Sequence, residues 1–595
     1  MTRTAEVRLR LSLSFCAALI SCALLPQTQA QTSQQPFPTN YQTPPAMITT
    51  SAEGSTYVPM DSWIYPALDR LHSLGYLDSA FLGLRPWTRL SIAHMLQESA
   101  DKIDTSDDEQ AKEVYLAVLN EVQPDIDNAT EMTHPTGQLE SVYSDFRGID
   151  GTVLRDSFHL GQTIIDDYGR PYQGGFNDYT GFSARAEAGR FSLYWREEYE
   201  RGAGAAGYSP ALYDYLSCTI DDVYVNGRYG GPCTVNPDQD TIPGGPIPLA
   251  NYGRIMEATL SYHVWGHEVS FGKSDHWLGP DRGASMLWSD NAEDIYQFQI
   301  DRVEPLRIPL LSRLTGPFRY DFFVGSLKGH TDPNDPWVHM EKISFKPTRN
   351  LEFGFDRLVV WGGKGHEPIT LHTFLKSFFS FQNVSAAEKF SRSDPGARYG
   401  TFDFEYRLPG LRNWVTLYTD SLVHDDVSPI DAPRRAGVHP GVYLARFPGL
   451  NQLDLRVEGA NTNTVSTAGT GGHFLYTEAI DRQGPTNKGF LPDWVGRQGK
   501  GGQAWLTYHL NAQEDIQFMY RNMKINGDFI PGGTTQNDFA GSVRKRIGKD
   551  IEVLGLVQYE GWKAPILTYP VFTNTLHSDT TVEARITWYP HEKTQ

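Results

Sequence analysis

The sequence TFDFEYRL, residues 401–408, alternates large apolar side chains with charged ones. The even-numbered positions from 402 to 408 are all apolar, and the charged residues are Asp403, Glu405 and Arg407. A period of two places the two sets on opposite faces of a β-strand. The turn sequence Pro409-Gly410-Leu411 then leads into a second predicted strand over residues 413–421. This stretch therefore predicts a hairpin with one apolar face and one charged face.

The same alternation recurs along most of the chain, for example at residues 182–188, 453–458, 516–521 and 551–559. Short turns between the predicted strands alternate with long connections. The long connections are predicted at roughly 201–253, 275–292, 361–398, 422–438, 460–500, 525–536 and 561–577. One rim of short periplasmic turns and one rim of long extracellular loops is typical of an outer-membrane β-barrel.

Closure into a barrel accounts for the apolar face, because a closed sheet pairs every backbone group and turns that face to lipid. The sequence therefore predicts an all-β transmembrane fold, an antiparallel outer-membrane barrel of about 18 strands. It spans residues 138–590 and closes with a strand at 579–589. The first strand is either 138–147 or 157–168, since parity allows only one of them. Aromatic residues near strand ends are expected in the interfacial girdles: Trp195, Tyr199, Trp265, Trp361, Tyr520 and Trp588.

Helical patterns precede the barrel. Residues 31–55 are rich in Gln, Thr and Pro and predict a flexible linker. Apolar residues at helical spacing between 56 and 125 predict a small bundle of three amphipathic helices. The first helix is expected to stop at Gly75, the second to follow Pro86, and the third to begin with a capping box at Ser106.

The N-terminus has the pattern of an export signal. Residues 1–30 combine a basic start, an apolar run from Leu11 to Leu25 and a small-residue cleavage site at Ala30. The alternative is a lipoprotein signal, because residues 19–22 resemble a lipobox with Cys22 as the lipidated residue. Both interpretations predict export.

Two cysteines, Cys218 and Cys233, remain after the signal is removed. In an oxidising compartment a lone pair this close in sequence predicts a disulfide. Removal of residues 1–30 also takes away three arginines and one glutamate, which leaves a net charge near −21. An acidic exported protein is a poor candidate for binding nucleic acid.

The sequence contains no convincing catalytic motif. The zinc-protease, hydrolase-elbow, Walker and dinucleotide-binding patterns are all missing. The pairs His267-Glu268 and His366-Glu367 lack spaced partners, and the acidic runs at 238–240 and 332–335 lack the spacing of a calcium loop. The sequence therefore predicts a non-enzymatic protein without a cofactor or metal site. A barrel enzyme such as a lipase or an acyltransferase is the alternative.

The predicted inward faces of the strands carry charges of both signs. These lumen residues are Arg185, Glu187, Arg319, Asp321, Asp403, Glu405, Arg407, Asp454, Arg456, Glu458 and Arg521. They fit a porin interior that is salt-bridged or wet, and they equally fit a surface for a polar polymer. The spacing alone does not separate these two interpretations.

One long connection has an unusual composition. Residues 272–292 read GKSDHWLGPDRGASMLWSDNA and start at the predicted outer rim. Tryptophans beside Asp, Arg and Asn provide the stacking surfaces and hydrogen-bonding groups that sugar recognition uses. The alternative is a constriction loop that folds into the barrel and makes purely structural contacts. The predicted polysaccharide-binding residues are Trp277, Asp281, Arg282, Trp288, Asp290 and Asn291.

This stretch resembles the Wzi capsule-assembly family. Gly161-Gln162-Thr163, Gly169-Arg170-Pro171-Tyr172 and the helical segment 63–96 support the resemblance, which covers about residues 55–590. The resemblance implies an 18-stranded outer-membrane barrel with a periplasmic helical bundle. It also implies lectin-like binding of capsular or extracellular polysaccharide, held at the cell surface. It supplies no catalytic residues, and the Cys218–Cys233 loop lies outside the family pattern.

A second hypothesis is a carbohydrate-permeable outer-membrane porin. It rests on the segment 65–89, which looks like half of an S-layer-homology module that could touch the cell wall. A lectin is expected to have a closed lumen, whereas a porin needs an open one. A third class, a structural or adhesive surface protein, would neither bind polymer nor conduct. The expected partners are polysaccharide, outer-membrane lipid and lipopolysaccharide, and the expected state is a monomer.

Overall fold

A computed structural model describes residues 53–590 apart from 132–134, 222–241, 332, 382–383, 425–434, 464–474, 479 and 481–482. Within these residues, 18 strands form one closed antiparallel sheet in which sequential neighbours pair and the first strand also pairs with the last. The predicted antiparallel barrel of about 18 strands is confirmed. The predicted signal peptide and nearly all of the predicted linker lie outside the described residues.

The barrel strands are β1 and β4 to β20, and a separate short hairpin is formed by β2 and β3. The strands are β1 (Thr136–Gly151), β2 (Arg155–Asp156), β3 (Gly161–Gln162), β4 (Gly175–Ala188), β5 (Phe191–Gly202), β6 (Ala250–Val264), β7 (His267–Lys273), β8 (Tyr296–Asp301), β9 (Phe318–Ser326), β10 (Trp337–Thr348), β11 (Leu351–Trp361), β12 (Ala397–Arg407), β13 (Val415–His424), β14 (Gly437–Leu444), β15 (Leu453–Asn461), β16 (Gly499–Asn511), β17 (Glu514–Ile525), β18 (Thr534–Ile547), β19 (Ile551–Lys563) and β20 (His577–Trp588).

Fewer residues belong to helices than to strands, although α3, with 23 residues, is longer than any strand. They are α1 (Ile64–Ser73), α2 (Arg89–Asp104), α3 (Glu109–Glu131), α4 (Pro210–Tyr215), α5 (Ser312–Thr315), α6 (Leu371–Phe378) and α7 (Ala386–Lys389), with a π-helical turn at Leu216–Ile220 and 3-10 turns at Asn487–Gly489 and Pro565–Thr568. None of the helices in the described part of the chain is both long and apolar enough to cross a membrane.

Strand β12 shows how the sequence pattern becomes a barrel wall. Phe404 is 36 % exposed on the outside, whereas Asp403 and Glu405 are buried on the inside. This arrangement inverts that of a soluble sheet, because the apolar side chains face outward and the charges face inward. Many other strands repeat it, with Phe271 and Phe518 among the most exposed outward residues. Such a surface is stable against lipid and unstable against water.

The first strand of the barrel is β1, so the structure selects 138–147 over the alternative at 157–168. Residues 157–168 instead belong to a long loop that contains β3. Alternation could not separate the two, because this loop also alternates while it packs inside the barrel.

The three N-terminal helices fill the short-turn end of the lumen, and residues 53–131 are called the plug below. Arg412, in the turn between β12 and β13, donates a hydrogen bond to the Gly75 carbonyl at 3.2 Å. Arg446, in the turn between β14 and β15, pairs with Asp108 at 2.7 Å. The Asp108 carboxylate also accepts the Ala111 N–H, so Asp108 caps α3 rather than the expected Ser106.

Charges of the inner wall pair with charges of the plug. Arg407 donates to the His72 carbonyl at 3.0 Å and to Asp78 at 2.6 Å, and Arg456 pairs with Asp69. Apolar contacts reinforce these pairs, since Tyr418 and Tyr443 of the wall join the core of the three helices. The plug and the wall therefore form one packed body.

One outward helix corrects a sequence prediction. Trp361 was expected in an interfacial girdle, but it is only 1 % exposed. It packs against Phe374 of α6, whose neighbour Phe378 contacts the outward-facing Phe322. Helix α6 thus lies on the outer surface of β9 to β11 and covers Trp361. Of the other predicted girdle residues, Trp195 is half-buried, and four are exposed: Tyr199, Trp265, Tyr520 and Trp588.

We expect Asp125→Ala to detach the plug from the wall. Asp125 on α3 is buried between Arg89 of α2, at 2.8 Å, and Arg185 of β4. Burial raises the pKa of Asp125, but these two guanidinium groups outweigh burial and hold that pKa below its usual range. Removing one partner of a buried ion pair costs about 3–5 kcal/mol. Urea unfolding of the detergent-solubilised protein should therefore show a loss of about 3 kcal/mol.

Asp127→Ala is the matched control, because Asp127 is exposed on the same helix. A surface substitution of this kind should stay within about 0.5 kcal/mol of the parent. Equal effects of the two substitutions would contradict the role given to Asp125.

Candidate functional site

The connection between β7 and β8, residues 274–295, turns into the lumen and is called the inward loop. Trp277 pairs with Arg85 of the plug through two backbone hydrogen bonds of 3.0 and 3.2 Å. The Arg85 guanidinium also lies over the Trp277 ring, 5.3 Å from its centre. Trp277 is therefore buried at the plug rather than displayed at the outer rim.

Trp288 lies deeper in the same loop and is 2 % exposed. Its ring makes edge contacts with His276 and with Phe323 of β9. It belongs to an apolar cluster in which the inward loop packs on β9 to β13 and on Leu475, Tyr476 and Leu491. The indole is thus committed to packing inside the barrel.

The segment Asp281-Arg282-Gly283 is fixed to the wall through its backbone. The Asp281 carbonyl accepts hydrogen bonds from Trp277 Nε1 and from Arg85, both at 3.0 Å. The Arg282 and Gly283 N–H groups donate to the Glu458 carboxylate on β15 at 2.8 and 3.0 Å. These contacts place the loop directly against β15.

The end of the inward loop gathers buried acids. Asn291 donates to the Leu491 carbonyl at 2.6 Å, and the carboxylates of Asp275, Asp290 and Asp294 approach within 4.8 Å of one another. Burial, together with the mutual repulsion of these three groups, raises the pKa values of Asp290 and Asp294 well above their usual range. The cluster therefore favours protonated carboxyl groups.

An inner cavity of about 280 Å³ lies between α1 and the wall formed by β14 to β19. Three of the six predicted polysaccharide-binding side chains line it, namely Trp277, Arg282 and Asp290. The structure therefore brings half of the predicted set to one cavity and leaves Asp281, Trp288 and Asn291 in packed surroundings. Sugar binding by all six residues stays a prediction.

All eleven predicted lumen residues are buried on the inner side of the wall. They pair with charged groups of the plug, as Arg407 does with Asp78, of the inward loop, as Asp321 does with His276, or of other wall residues. Arg521, for example, pairs with Asp538 at 2.5 Å. Outside the inner cavity, the described part of the lumen is therefore packed, and these charges are paired.

An outer cleft of about 420 Å³ lies at the long-loop rim. It is formed where residues 151–155, 173–174, 204–212 and 243–247 meet the end of β19. Glycines line much of it, and Arg155, Tyr208 and Trp562 are among its side chains. The sequence patterns did not single out these residues; the only signal was the Gly-rich composition of residues 202–207.

A buried charge network lies behind this cleft. His159 contacts Asp156 at 3.0 Å through Nδ1 and Asp221 at 2.8 Å through Nε2, and Arg497 pairs with Asp221 at 2.8 Å. Burial alone lowers the pKa of His159, but the two carboxylates outweigh burial and raise it to about 9. The charged imidazole therefore ties three loop segments together.

One cysteine of the predicted disulfide lies outside the described residues. Cys218 lies in the π-helical turn after α4, and Cys233 lies outside the described residues, as does the acidic run 238–240. The disulfide stays a prediction.

Comparisons with known proteins agree with this architecture. Residues 147–575 match the family model described as capsule assembly protein Wzi. A Klebsiella pneumoniae protein, described as an uncharacterized 55.8 kDa protein in the cps region, is 25 % identical over 165 residues. That match covers 28 % of this chain and about a third of the relative, 32 % of its length.

Solved structures with a similar fold were also found. Wzi of Escherichia coli, an outer-membrane carbohydrate-binding β-barrel involved in group 1 capsule assembly, has a TM-score of 0.62 at 15 % identity. The alignment covers 90 % of this chain and 99 % of that one. OccAB2 of Acinetobacter baumannii gives a TM-score of 0.40 at 11 % identity over 76 % of this chain and 98 % of that one.

The family match spans most of the chain, and it includes the inward loop whose sequence carries the resemblance noted above. The resemblance is thereby confirmed. This chain belongs to the capsule assembly protein Wzi family.

Proposed function

We propose that this protein is a non-enzymatic outer-membrane lectin that binds capsular or extracellular polysaccharide and anchors it at the cell surface. The outer cleft is the observation that carries this proposal, because it is an open site at the rim where the long loops meet. Its volume of about 420 Å³ lies within the usual range for small-ligand sites.

The position of the barrel in the membrane supports the proposal. Its outward apolar residues fit a lipid surface, and the predicted signal peptide would deliver the chain for export. Outer-membrane barrels have their short turns on the periplasmic side. In this orientation the short-turn end and the plug face the periplasm, and the long loops face the exterior. The outer cleft then lies where a surface polymer is accessible.

The chemistry of the outer cleft suits a polar polymer. Arg155 of β2 offers a charged donor, and its guanidinium is held 5.7 Å from the centre of the Tyr172 ring. Glycine-rich walls expose backbone groups, and the half-buried Tyr208 adds an aromatic surface. Aromatic surfaces and charged hydrogen-bond donors together recognise sugars through their apolar and hydroxyl-bearing faces.

The inward loop has a structural role in this proposal rather than a sugar-binding one. Trp277 and Trp288 are packed against the plug and the apolar cluster, so exposing them to sugar would uncover their buried partners. This burial favours the structural alternative for the loop, in which it closes the lumen and supports the rim. Polymer recognition is then assigned to the outer cleft.

Ala205→Trp should abolish saturable binding of the polysaccharide purified from the producing strain. Ala205 lines the outer cleft, and the indole would fill it. Arg155→Ala should weaken binding roughly tenfold, because a hydrogen bond to a charged group contributes about 1.5–3 kcal/mol. Isothermal titration calorimetry on the detergent-solubilised protein measures both effects.

The matched control is Ala206→Trp, since Ala206 is exposed and adjacent but does not line the cleft. It should bind like the parent. Full binding by Ala205→Trp would move the site away from the cleft and contradict the proposal.

The wild-type protein should show no steady conductance in a planar lipid bilayer. The plug pairs with the wall through buried charges, and the inward loop fills the middle of the described lumen. Recordings with several preparations should therefore show no steady ionic current across the bilayer. A large and stable conductance without polymer binding would favour the porin hypothesis instead.

The rim should loosen at alkaline pH. His159 has a folded pKa of about 9, above the value near 6.5 expected in the unfolded chain. Its contribution to stability is therefore complete below about pH 6.5 and is lost as the pH rises through about 9. Hydrogen-exchange protection of residues 153–163, corrected for intrinsic rates, should fall over that interval.

His159→Gln should be less protected than the parent at pH 6 and should lack this pH-dependent fall, because glutamine does not titrate. The same pH dependence in His159→Gln would show that another group is responsible.

A further inference from the structure

Three side chains with metal-binding atoms meet where the inward loop touches the wall. They are Asp281 of the loop, His439 of β14 and Glu458 of β15. One ligand atom from each lies within 4.8 Å of the other two. All three residues are at most 1 % exposed, so the group is isolated from solvent.

The imidazole of His439 is oriented by a fourth residue. Its Nδ1 lies 3.0 Å from Asp493 Oδ2, and because a carboxylate accepts, Nδ1 carries the proton. In the neutral imidazole the lone pair is then on Nε2, which makes no hydrogen bond with the described residues. A carboxylate that fixes the far nitrogen of a histidine is the usual support of a metal ligand.

The Asp281 carboxylate is buried beside His439 and Glu458. Neither of its oxygens makes a hydrogen bond within the described residues, although the side chain is fully buried. The backbone of Asp281 is held by Trp277 and Arg85, so the position of this side chain is set by the loop. A buried carboxylate without a donor or cation is costly, and a bound cation removes that cost.

Both carboxylate oxygens of Glu458 already accept hydrogen bonds. Its Oε1 accepts from the Tyr418 hydroxyl at 2.7 Å and from the Arg282 N–H at 2.8 Å. Its Oε2 accepts from the Gly283 N–H at 3.0 Å and lies 3.3 Å from His439 Nε2. These donors fix both oxygens and leave Oε2 beside the free nitrogen.

The local charge also favours a divalent ion. Three carboxylates, those of Asp281, Glu458 and Asp493, surround one imidazole. A protonated imidazole would supply a single positive charge and would leave the Asp281 oxygens without a donor. A divalent cation supplies two positive charges, and the Nε2 lone pair and a carboxylate oxygen can coordinate it at the same time.

We propose that Asp281, His439 and Glu458 bind a divalent transition-metal ion of the zinc class, with Asp493 as the positioning residue. One nitrogen and two oxygens form a donor set suited to zinc and its neighbours rather than to calcium, which prefers oxygen ligands alone. The ion clamps the inward loop onto β14 and β15. It is independent of the outer cleft.

The second acidic group of the inward loop provides a contrast. Asp275, Asp290 and Asp294 supply only carboxylates, and Asp275 already accepts from the Met60 N–H at 2.7 Å and the Tyr168 hydroxyl at 3.2 Å. This group contains no histidine nitrogen, and its three ligand atoms are all carboxylate oxygens. The ion is therefore assigned to the site that contains His439.

The test begins with the full chain purified in detergent. Elemental analysis by mass spectrometry should find one ion per chain, which a strong chelator removes. Cobalt(II) added to the chelator-treated protein should restore one equivalent and produce visible absorption bands of a low-symmetry site. Absence of both stoichiometric metal and cobalt bands would overturn the proposal.

Variants locate the ion. Asp493→Asn keeps the shape of the positioning residue and should lower the cobalt affinity roughly 10- to 100-fold. His439→Gln should abolish the bands, and His267→Gln, at the short-turn rim, should leave them unchanged. Unchanged bands in both Asp493→Asn and His439→Gln would place the ion elsewhere and overturn the assignment. Should His439→Gln not fold, Asp493→Asn and the wild-type titration still decide the question.

Discussion

The need to pair charge inside a packed lumen governs this structure. A wall with its apolar side chains outside must carry its polar side chains inside, and a packed lumen removes the water that would otherwise solvate them. Every inward charge then requires a specific partner. Lys342 of β10 finds Asp356 and Asp403 across the wall at 3.0 and 2.7 Å, and Arg407 finds the plug. The wall and its contents are complementary in charge as well as in shape.

The same constraint links the parts of the chain that are distant in sequence. Displacing the plug would remove Asp78 from Arg407 and Asp69 from Arg456, and both arginines are buried in the wall. The inward loop is bound similarly, since the Glu458 carboxylate accepts two of its N–H groups. These contacts fill much of the described lumen and favour the lectin hypothesis over the porin hypothesis.

Periodicity predicted the wall because membrane strands obey a period of two along their length, as in residues 401–408. It could not show where loops go, since a loop that folds inward is as mixed in composition as one that projects outward. The sequence therefore left open whether the loop with Trp277 and Trp288 binds sugar at the rim or folds into the barrel, and it predicted Trp361 in a girdle because α6 could not be foreseen above it. The outer cleft was missed because its glycines and backbone groups leave almost no pattern. Metal ligands were sought by close spacing, whereas Asp281, His439 and Glu458 are brought together by the inward loop and by the pairing of β14 with β15.

The composition of the inward loop follows from its contacts inside the barrel. Its polar residues are those that a segment needs in order to cross a charged lumen. Asp420 of β13 accepts from the Met286 N–H and the Ser285 hydroxyl at 2.8 and 3.0 Å, and Asn291 bridges to the Leu491 carbonyl. Tryptophans fill the space between these anchors. A loop engaged on every side cannot also adapt to a ligand without exposing buried charge. These contacts therefore favour a supporting role for the inward loop, which is why the proposed polymer site is the outer cleft.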